Sequence, residues 1–179
     1  MNFFKIRPSE KHPSILLFIM FYCITTASIM GAAFRDAIFL IRFDKTYLPL
    51  MYVFIALIMA MAIEAYKKFT LEKDQITLIT ISGSIFSISL LLFQLYMPDW
   101  AIPVFYIWME IVTILSIMQF WILAGAVFNA RQAKRLFPLI IAGGSISAIS
   151  AGYSISPFVE FFGSHNILYL TLLFLITSI

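Results

Sequence analysis

Three charged residues stand where the sequence is otherwise apolar. Arg35 and Asp36 interrupt the stretch 15–41, and Glu110 lies inside the apolar segment 101–128. Charged side chains are costly inside a bilayer, and those found there commonly mark the path of an ion or a substrate. A cation with two carboxylates could bind an anion, pair across helices or carry a proton.

Arg35 and Glu110 are expected at similar depths in the membrane. With the spans framed as 19–41 and from Val104 onward, each lies six residues from the end of its span, which is about 9 Å of helix. The matching depths predict an ion pair between helices. The residues alone leave three alternatives open: a purely structural pair, a protonated glutamic acid bonded to a neighbour, or an arginine that snorkels to the interface.

One predicted helical stripe combines small, hydroxyl-bearing and cationic side chains. The stripe comprises Thr25, Ser28, Ala32, Arg35 and Arg42, which follow one another at intervals of three, four, three and seven residues. These spacings place the side chains on one helix face, and such a face suits a water-filled cavity. Thr25, Ser28 and Arg42 are therefore candidates for lining that cavity. Gln119 either lines it too or bonds a neighbouring helix.

The composition requires that these residues be positioned by membrane helices. Of the 179 residues, 62% are hydrophobic and only 12% are charged, whereas soluble domains are about half apolar and a quarter charged. Mean hydropathy is +0.98. A chain of this size could not bury so much apolar surface in its own core. The bilayer is therefore the first predicted partner, in a multi-pass membrane location that we expect to be a bacterial inner membrane.

Windows of about 20 apolar residues predict an all-α, polytopic bundle of about six transmembrane helices. The predicted spans are 14–34 or longer, 47–66, 75–97, 101–128, 136–159 and 164–179. Because no Gly or Pro follows Gly31 until Pro49, the first helix is expected to continue to about Phe43. Residues 1–13 are predicted to form a cytoplasmic segment, and 14–179 a membrane domain that is truncated rather than complete with a short tail.

Basic residues predict the orientation of the bundle. Nine Lys and Arg residues fall on one side, in the N-terminal segment and in the second-to-third and fourth-to-fifth loops, against three on the other. Cytoplasmic loops carry the excess of such residues, so the N-terminus is predicted to be cytoplasmic. The first span has 21 residues, against about 7–15 in the apolar region of a signal peptide, so it is read as uncleaved.

The predicted fourth-to-fifth loop and fifth helix carry two further candidate features. Arg131, Lys134 and Arg135 act either as a cytoplasmic gate that attracts anions or only as the topology signal. In the fifth helix, Gly143 and the Gly144–Gly152 spacing predict close helix packing.

Several functional classes are disfavoured. No nucleophile stands beside a base, and no CxxC or metal-ligand spacing is present, so we expect no enzyme, no cofactor and no metal. No basic face with stacking aromatics is present, so nucleic acid is not an expected partner. The only cysteine, Cys23, lies in an apolar run and is expected to be inert.

Several segments of the chain together form a recognisable pattern: 120–124, Ala133-Lys134-Arg135-Leu136-Phe137-Pro138-Leu139, Gly143-Gly144, Gly152, Arg35-Asp36 and Met109-Glu110. In these segments the chain resembles the ATP:ADP antiporter family of nucleotide transporters, a divergent branch of the major facilitator superfamily. The resemblance implies about twelve helices in the family, of which this chain would form the N-terminal half. It also implies roles in transport for Arg35, Asp36 and Glu110, with the C-terminal half and a small anionic substrate as partners.

One position departs from the family pattern. Ile38 stands where nucleotide exchangers carry a lysine, although Arg42 lies one turn further on. A nucleotide needs cations to replace its water shell. We therefore carry two hypotheses: half of a secondary transporter for nucleotides or another organic anion, by alternating access, or a membrane scaffold or sensor of the same fold linked to soluble domains.

Overall fold

The chain folds into a bundle of α-helices. The computed structural model describes residues 7–70, 74–163 and 166–178, and no strand occurs in these ranges. The helices are α1 (Pro8–Arg42), α2 (Leu48–Thr70), α3 (Gln75–Leu95), α4 (Ala101–Val127), α5 (Ala130–Phe162) and α6 (Ile167–Thr177), and a 3-10 turn at Lys45–Tyr47 precedes α2. The prediction of an all-helical fold is confirmed for the described residues.

Five of these helices are long and apolar enough to cross a membrane, namely α1 to α5. The sixth, α6, is equally apolar but has 11 residues, fewer than the roughly 20 that a bilayer core requires. The predicted start of its span at Ser164 and its last residue, Ile179, lie outside the described residues. A sixth crossing therefore stays a prediction.

The first helix is a single element that begins earlier and ends later than the minimal prediction. Arg7 caps it, Pro8 occupies its first turn, and the Glu10 carboxylate accepts a hydrogen bond from the Arg7 backbone N–H at 3.1 Å. Residues 8–13 are therefore helical; that residues 1–13 form a cytoplasmic segment stays a prediction, and residues 1–6 lie outside the described residues. The predicted continuation through Arg35 is confirmed, since the helix ends only at Arg42.

The fifth helix begins six residues before its predicted start. Asn129 caps it by accepting a hydrogen bond from the Gln132 backbone N–H at 3.0 Å, and the Gln132 side chain returns the contact at 3.1 Å. This capping box satisfies two backbone donors that would otherwise lack partners. Arg131, Lys134 and Arg135 were expected in a loop, and this expectation is wrong because the cap places them in the first turns of α5.

The central element is α1, which packs against α4, α5 and α6. In addition, α2 packs on α4, and α3 packs on α4 and α6. Two apolar cores result. The larger surrounds Phe39, Leu90, Phe105 and Tyr106, and the smaller surrounds Phe21, Phe120 and Leu136.

The two ends of the bundle differ in their side chains. One end, where α1 and α5 begin and α2 ends, is called here the basic end; its described cations are Arg7, Lys11, Lys67, Lys68, Arg131, Lys134 and Arg135. Lys5 and Lys73, which the orientation argument also used, lie outside the described residues. The other end, where α1 and α3 finish, carries exposed Tyr47, Tyr96 and Trp100, and is called the aromatic end.

Candidate functional site

The candidate site lies where α1 and α4 cross, nearer the aromatic end. Gly31 of α1 faces Met109 of α4, and a Cβ atom at Gly31 would lie only 2.9 Å from the Met109 sulfur. The absence of a side chain therefore lets Met109 approach α1 closely. One turn further along α1 stands Arg35, and the residue after Met109 is Glu110.

Arg35 makes three contacts at this crossing, two of them with α4 and one within α1. Its Nη1 donates a hydrogen bond to Glu110 Oε2 on α4. Its Nε donates to Asp36 Oδ1 at 3.0 Å. Its Cζ lies 4.3 Å from the centre of the Tyr106 ring, in a cation–π contact. The ion pair between helices that the matching depths predict is present.

The three charged side chains are buried to different degrees. Relative exposure is 8% for the Arg35 side chain, 29% for Glu110 and 48% for Asp36. The cation is thus the most buried of the three groups, and both carboxylates are partly exposed. When all three groups are ionised, the cluster carries a formal charge of −1.

Tyr106 forms the floor of the cluster. Its side chain is fully buried, and its ring packs 4.9 Å from the Phe39 ring. Its aromatic face therefore supports the guanidinium of Arg35. This role could not be predicted from the sequence, because Tyr106 is one aromatic among many.

The predicted hydroxyl stripe of α1 does not converge on this cluster. Thr25 Oγ1 donates to Phe21 O at 2.6 Å and accepts from Ser147 Oγ of α5 at 2.6 Å. Ser28 Oγ donates to Ile24 O at 2.8 Å. Both hydroxyls are partly buried, and α1 and α5 supply their partners because the two helices lie in contact. No described cavity is lined by Thr25 or Ser28.

Arg42 and Gln119 also lie apart from the cluster. Arg42 ends α1 at the aromatic end, where its Nη1 lies 3.5 Å from Asp99 Oδ1. Gln119 is buried in α4 and accepts a hydrogen bond from Ser82 of α3 at 2.9 Å. The predicted bond to a neighbouring helix is thus observed, and Gln119 also lines a small cavity of about 20 Å³ that lies apart from Arg35.

A second ionic cluster lies at the basic end, which the sequence reasoning did not foresee. The Glu10 carboxylate, only 4% exposed, accepts hydrogen bonds from Arg135 Nη2 at 2.5 Å and from Gln132 Nε2 at 3.1 Å. Arg135 therefore joins α5 to α1. Of the three cations at the start of α5, Arg131 and Lys134 are the exposed ones.

The glycines of α5 divide into two groups. A Cβ at Gly143 would lie 3.0 Å from Phe18 O, and one at Gly144 would lie 2.6 Å from Phe21 Cε1, so both lie against α1. Gly152 is exposed, and a Cβ there would meet nothing within 4 Å. The packing prediction for Gly152 is wrong for the described residues, because the neighbouring Ala151 is the residue that turns inward.

The chain has no match among family models, curated proteins or solved structures. The resemblance to the antiporter family therefore stays a prediction, and the case for function rests on the geometry of the site.

Proposed function

We propose that this chain is part of a secondary membrane transporter that moves a small organic anion by alternating access. The observation that supports the proposal is the Arg35–Glu110 pair, which joins two helices inside an apolar bundle. Intramembrane charges are expensive, and transporters place their substrate and coupling-ion groups near the middle of the membrane. The family resemblance makes a nucleotide the first substrate to test.

The charge of the cluster suggests how transport would be coupled. With both carboxylates ionised the cluster is negative overall, and it would repel an anion. Protonation of Glu110 would release Arg35 Nη1, while Asp36 would still hold Nε at 3.0 Å. A proton and an anion would then enter together, and neither would bind well alone.

We assign that proton to Glu110 because it is the carboxylate that joins α4 to Arg35, so its release would open the contact between the two helices. Asp36 lies next to Arg35 on α1 itself, and its release would leave that contact in place. The Tyr106 ring beneath the guanidinium would keep Arg35 in place after the hydrogen bond to Glu110 is lost. Asp36 would orient the arginine, as the resemblance also implies.

Alternating access requires a second group of helices, which we propose as the partner of this bundle. Asp36 and Glu110 are both partly exposed on the described bundle. A second bundle facing them would enclose the cluster and leave the remaining apolar surface to lipid. The C-terminal half that the resemblance implies would supply such a bundle.

Uptake by the full-length protein in proteoliposomes tests this function. Labelled ATP and ADP would be offered with and without internal nucleotide, and with and without a pH gradient. Dependence on internal nucleotide supports exchange, and dependence on the gradient supports proton coupling. Glu110→Gln should abolish uptake at unchanged membrane expression, while Glu64→Gln, an exposed carboxylate paired with Lys67, should not. Full uptake by Glu110→Gln would sink the proposal.

One observation favours the scaffold or sensor alternative. Ile38, at the position aligned with the family lysine, lines a crevice between α1 and α3, as does Arg42. The charge of Arg42 is offset there by Asp99, whose Oδ1 lies 3.5 Å from Arg42 Nη1, so Arg42 adds no cation to the Arg35 cluster. Under this alternative, the protein would be folded and inserted but would neither bind nor move nucleotides. Equilibrium binding of labelled ATP to the purified protein separates the two functions.

A further inference from the structure

A crevice with a volume of about 320 Å³ opens between the last turns of α1 and α3. Its walls include Ile38 and Ile41 of α1 and Leu95 of α3, with Arg42 and Gln94 as polar members. The residues that line it do not include Arg35, Asp36, Glu110 or Tyr106, so the crevice is distinct from the ionic cluster.

The crevice lies at the level where lipid headgroups are expected. Tyr96 directly follows α3, Trp100 precedes α4 and Tyr47 precedes α2, and all three are more than half exposed. Tyr and Trp concentrate at membrane–water interfaces because one part of each ring system is apolar and another is polar. The mouth of the crevice is thus at the boundary between water and hydrocarbon.

Gln94 is the unusual residue of the crevice. It is 7% exposed, and its Oε1 atom is buried without a hydrogen-bond partner among the described residues. Leaving a buried amide oxygen unpaired is costly. Because the residue lines a cavity, a bound molecule can supply the missing donor.

Arg42 provides a cation at the same place. Its guanidinium is 58% exposed, and its Nη1 lies 3.5 Å from Asp99 Oδ1, which is too long for a strong hydrogen bond. The planar guanidinium can bind the oxygen atoms of a phosphate through two parallel hydrogen bonds. The polar part of the crevice therefore fits a phosphate, and its apolar part fits a hydrocarbon chain.

We propose that the crevice binds one phospholipid. Its phosphate contacts Arg42, a hydroxyl or ammonium group of the headgroup donates to Gln94, and the upper part of an acyl chain lies along Ile38, Ile41 and Leu95. The volume is at the lower end of the roughly 300–1,000 Å³ range of ligand clefts, so most of the lipid remains in the bilayer.

Native mass spectrometry of the full-length protein, purified in detergent and progressively delipidated, tests the site. The wild type should retain one phospholipid after the bulk lipid is gone. Arg42→Gln and Gln94→Leu should each weaken retention by about tenfold, as expected for the loss of one charge-assisted or buried hydrogen bond. The matched control is Lys45→Gln, which removes an exposed cation three residues beyond Arg42.

Two further arms identify what is bound. Millimolar inorganic phosphate should not displace the lipid, because phosphate lacks the acyl chain; displacement would point to a free-anion site and overturn the proposal. Refolding into bilayers of phosphate-free glycolipid, followed by added phospholipid, should restore the bound species. Equal retention by the wild type, Arg42→Gln and Gln94→Leu, with all three folded by circular dichroism, would also overturn it.

Discussion

Glu10 and Arg135 lie 125 positions apart in the chain, and their side chains meet at 2.5 Å where α1 and α5 begin. The carboxylate also accepts hydrogen bonds from the Arg7 backbone and from the Gln132 side chain. The Glu10 carboxylate therefore completes the cap of α1 and ties α1 to α5. Glu10 and Arg135 join two helices at the basic end, as Arg35 and Glu110 join α1 and α4 nearer the aromatic end.

Replacing Glu10 with Gln should lower the thermal unfolding temperature of the protein. The substitution removes the charge that Arg135 and the Arg7 N–H face, while the side chain keeps its size. Fluorescence-detected thermal unfolding in detergent measures the effect. Lys134→Gln is the control, since Lys134 is exposed on the same turn of α5. Equal unfolding temperatures for Glu10→Gln and the wild type would show that the pair contributes no net stability.

The Arg35–Glu110 pair should show strong energetic coupling. Removing one partner of a buried pair costs about 3–5 kcal/mol because the other charge is left behind. Arg35→Gln should therefore destabilise the bundle, and the double variant Arg35→Gln/Glu110→Gln should recover much of that loss. Reversible unfolding in mixed micelles gives the four free energies of the cycle.

Recovery of stability in the double variant should not restore uptake if the pair acts in transport. A double variant that is stable and still transports would show that the pair is structural only. Additive losses from the two single substitutions would instead show that the side chains do not interact in the membrane.

Much of the helical framework could be predicted from the sequence, because apolar segment length alone determines it. The ends could not. The start of α5 at Ala130 depends on a capping box, in which Asn129 and Gln132 bond each other's backbone. Most residues in this stretch are polar, so a hydropathy window predicts a loop there.

The site was predictable only in part. Arg35, Asp36 and Glu110 stand out because each is a charge among apolar neighbours, and their depths match. Nothing in the sequence connects Glu10 with Arg135, since both are polar residues near a membrane surface where charges are common. Likewise, Gly143 and Gly152 look alike in the sequence, and only the rotation of α5 about its axis separates a packed position from an exposed one.

The two glycine positions should respond oppositely to alanine. Gly144→Ala would place a methyl group 2.6 Å from the Phe21 ring, which is itself stacked on Phe120 with 4.7 Å between centroids. Such overpacking costs roughly 1–3 kcal/mol. Gly152→Ala meets open space, and should be neutral or stabilise by up to about 1 kcal/mol through higher helix propensity. Chemical unfolding of both variants tests the assignment, and equal destabilisation would contradict it.

The basic end should face the cytoplasm. In a Cys23→Ala background, a cysteine introduced at Lys134 should be protected from a membrane-impermeant maleimide in intact cells. A cysteine introduced at Lys45, at the aromatic end, should be labelled. This orientation is expected because an excess of Lys and Arg marks the cytoplasmic side. The reversed labelling pattern would show that the basic end faces outward.

The length of α1 has a mechanical consequence. From Ser14 to Arg42 no proline interrupts the helix, so this part is a rod of about 42 Å at 1.5 Å per residue. Phe21 packs where Gly144 of α5 leaves room for its ring, and we take this contact as the pivot of a rocking motion. Arg35 lies 14 residues from Phe21, and Ser14 only seven. A rocking motion that carries Arg35 away from Glu110 would therefore displace the basic end about half as far, in the opposite direction.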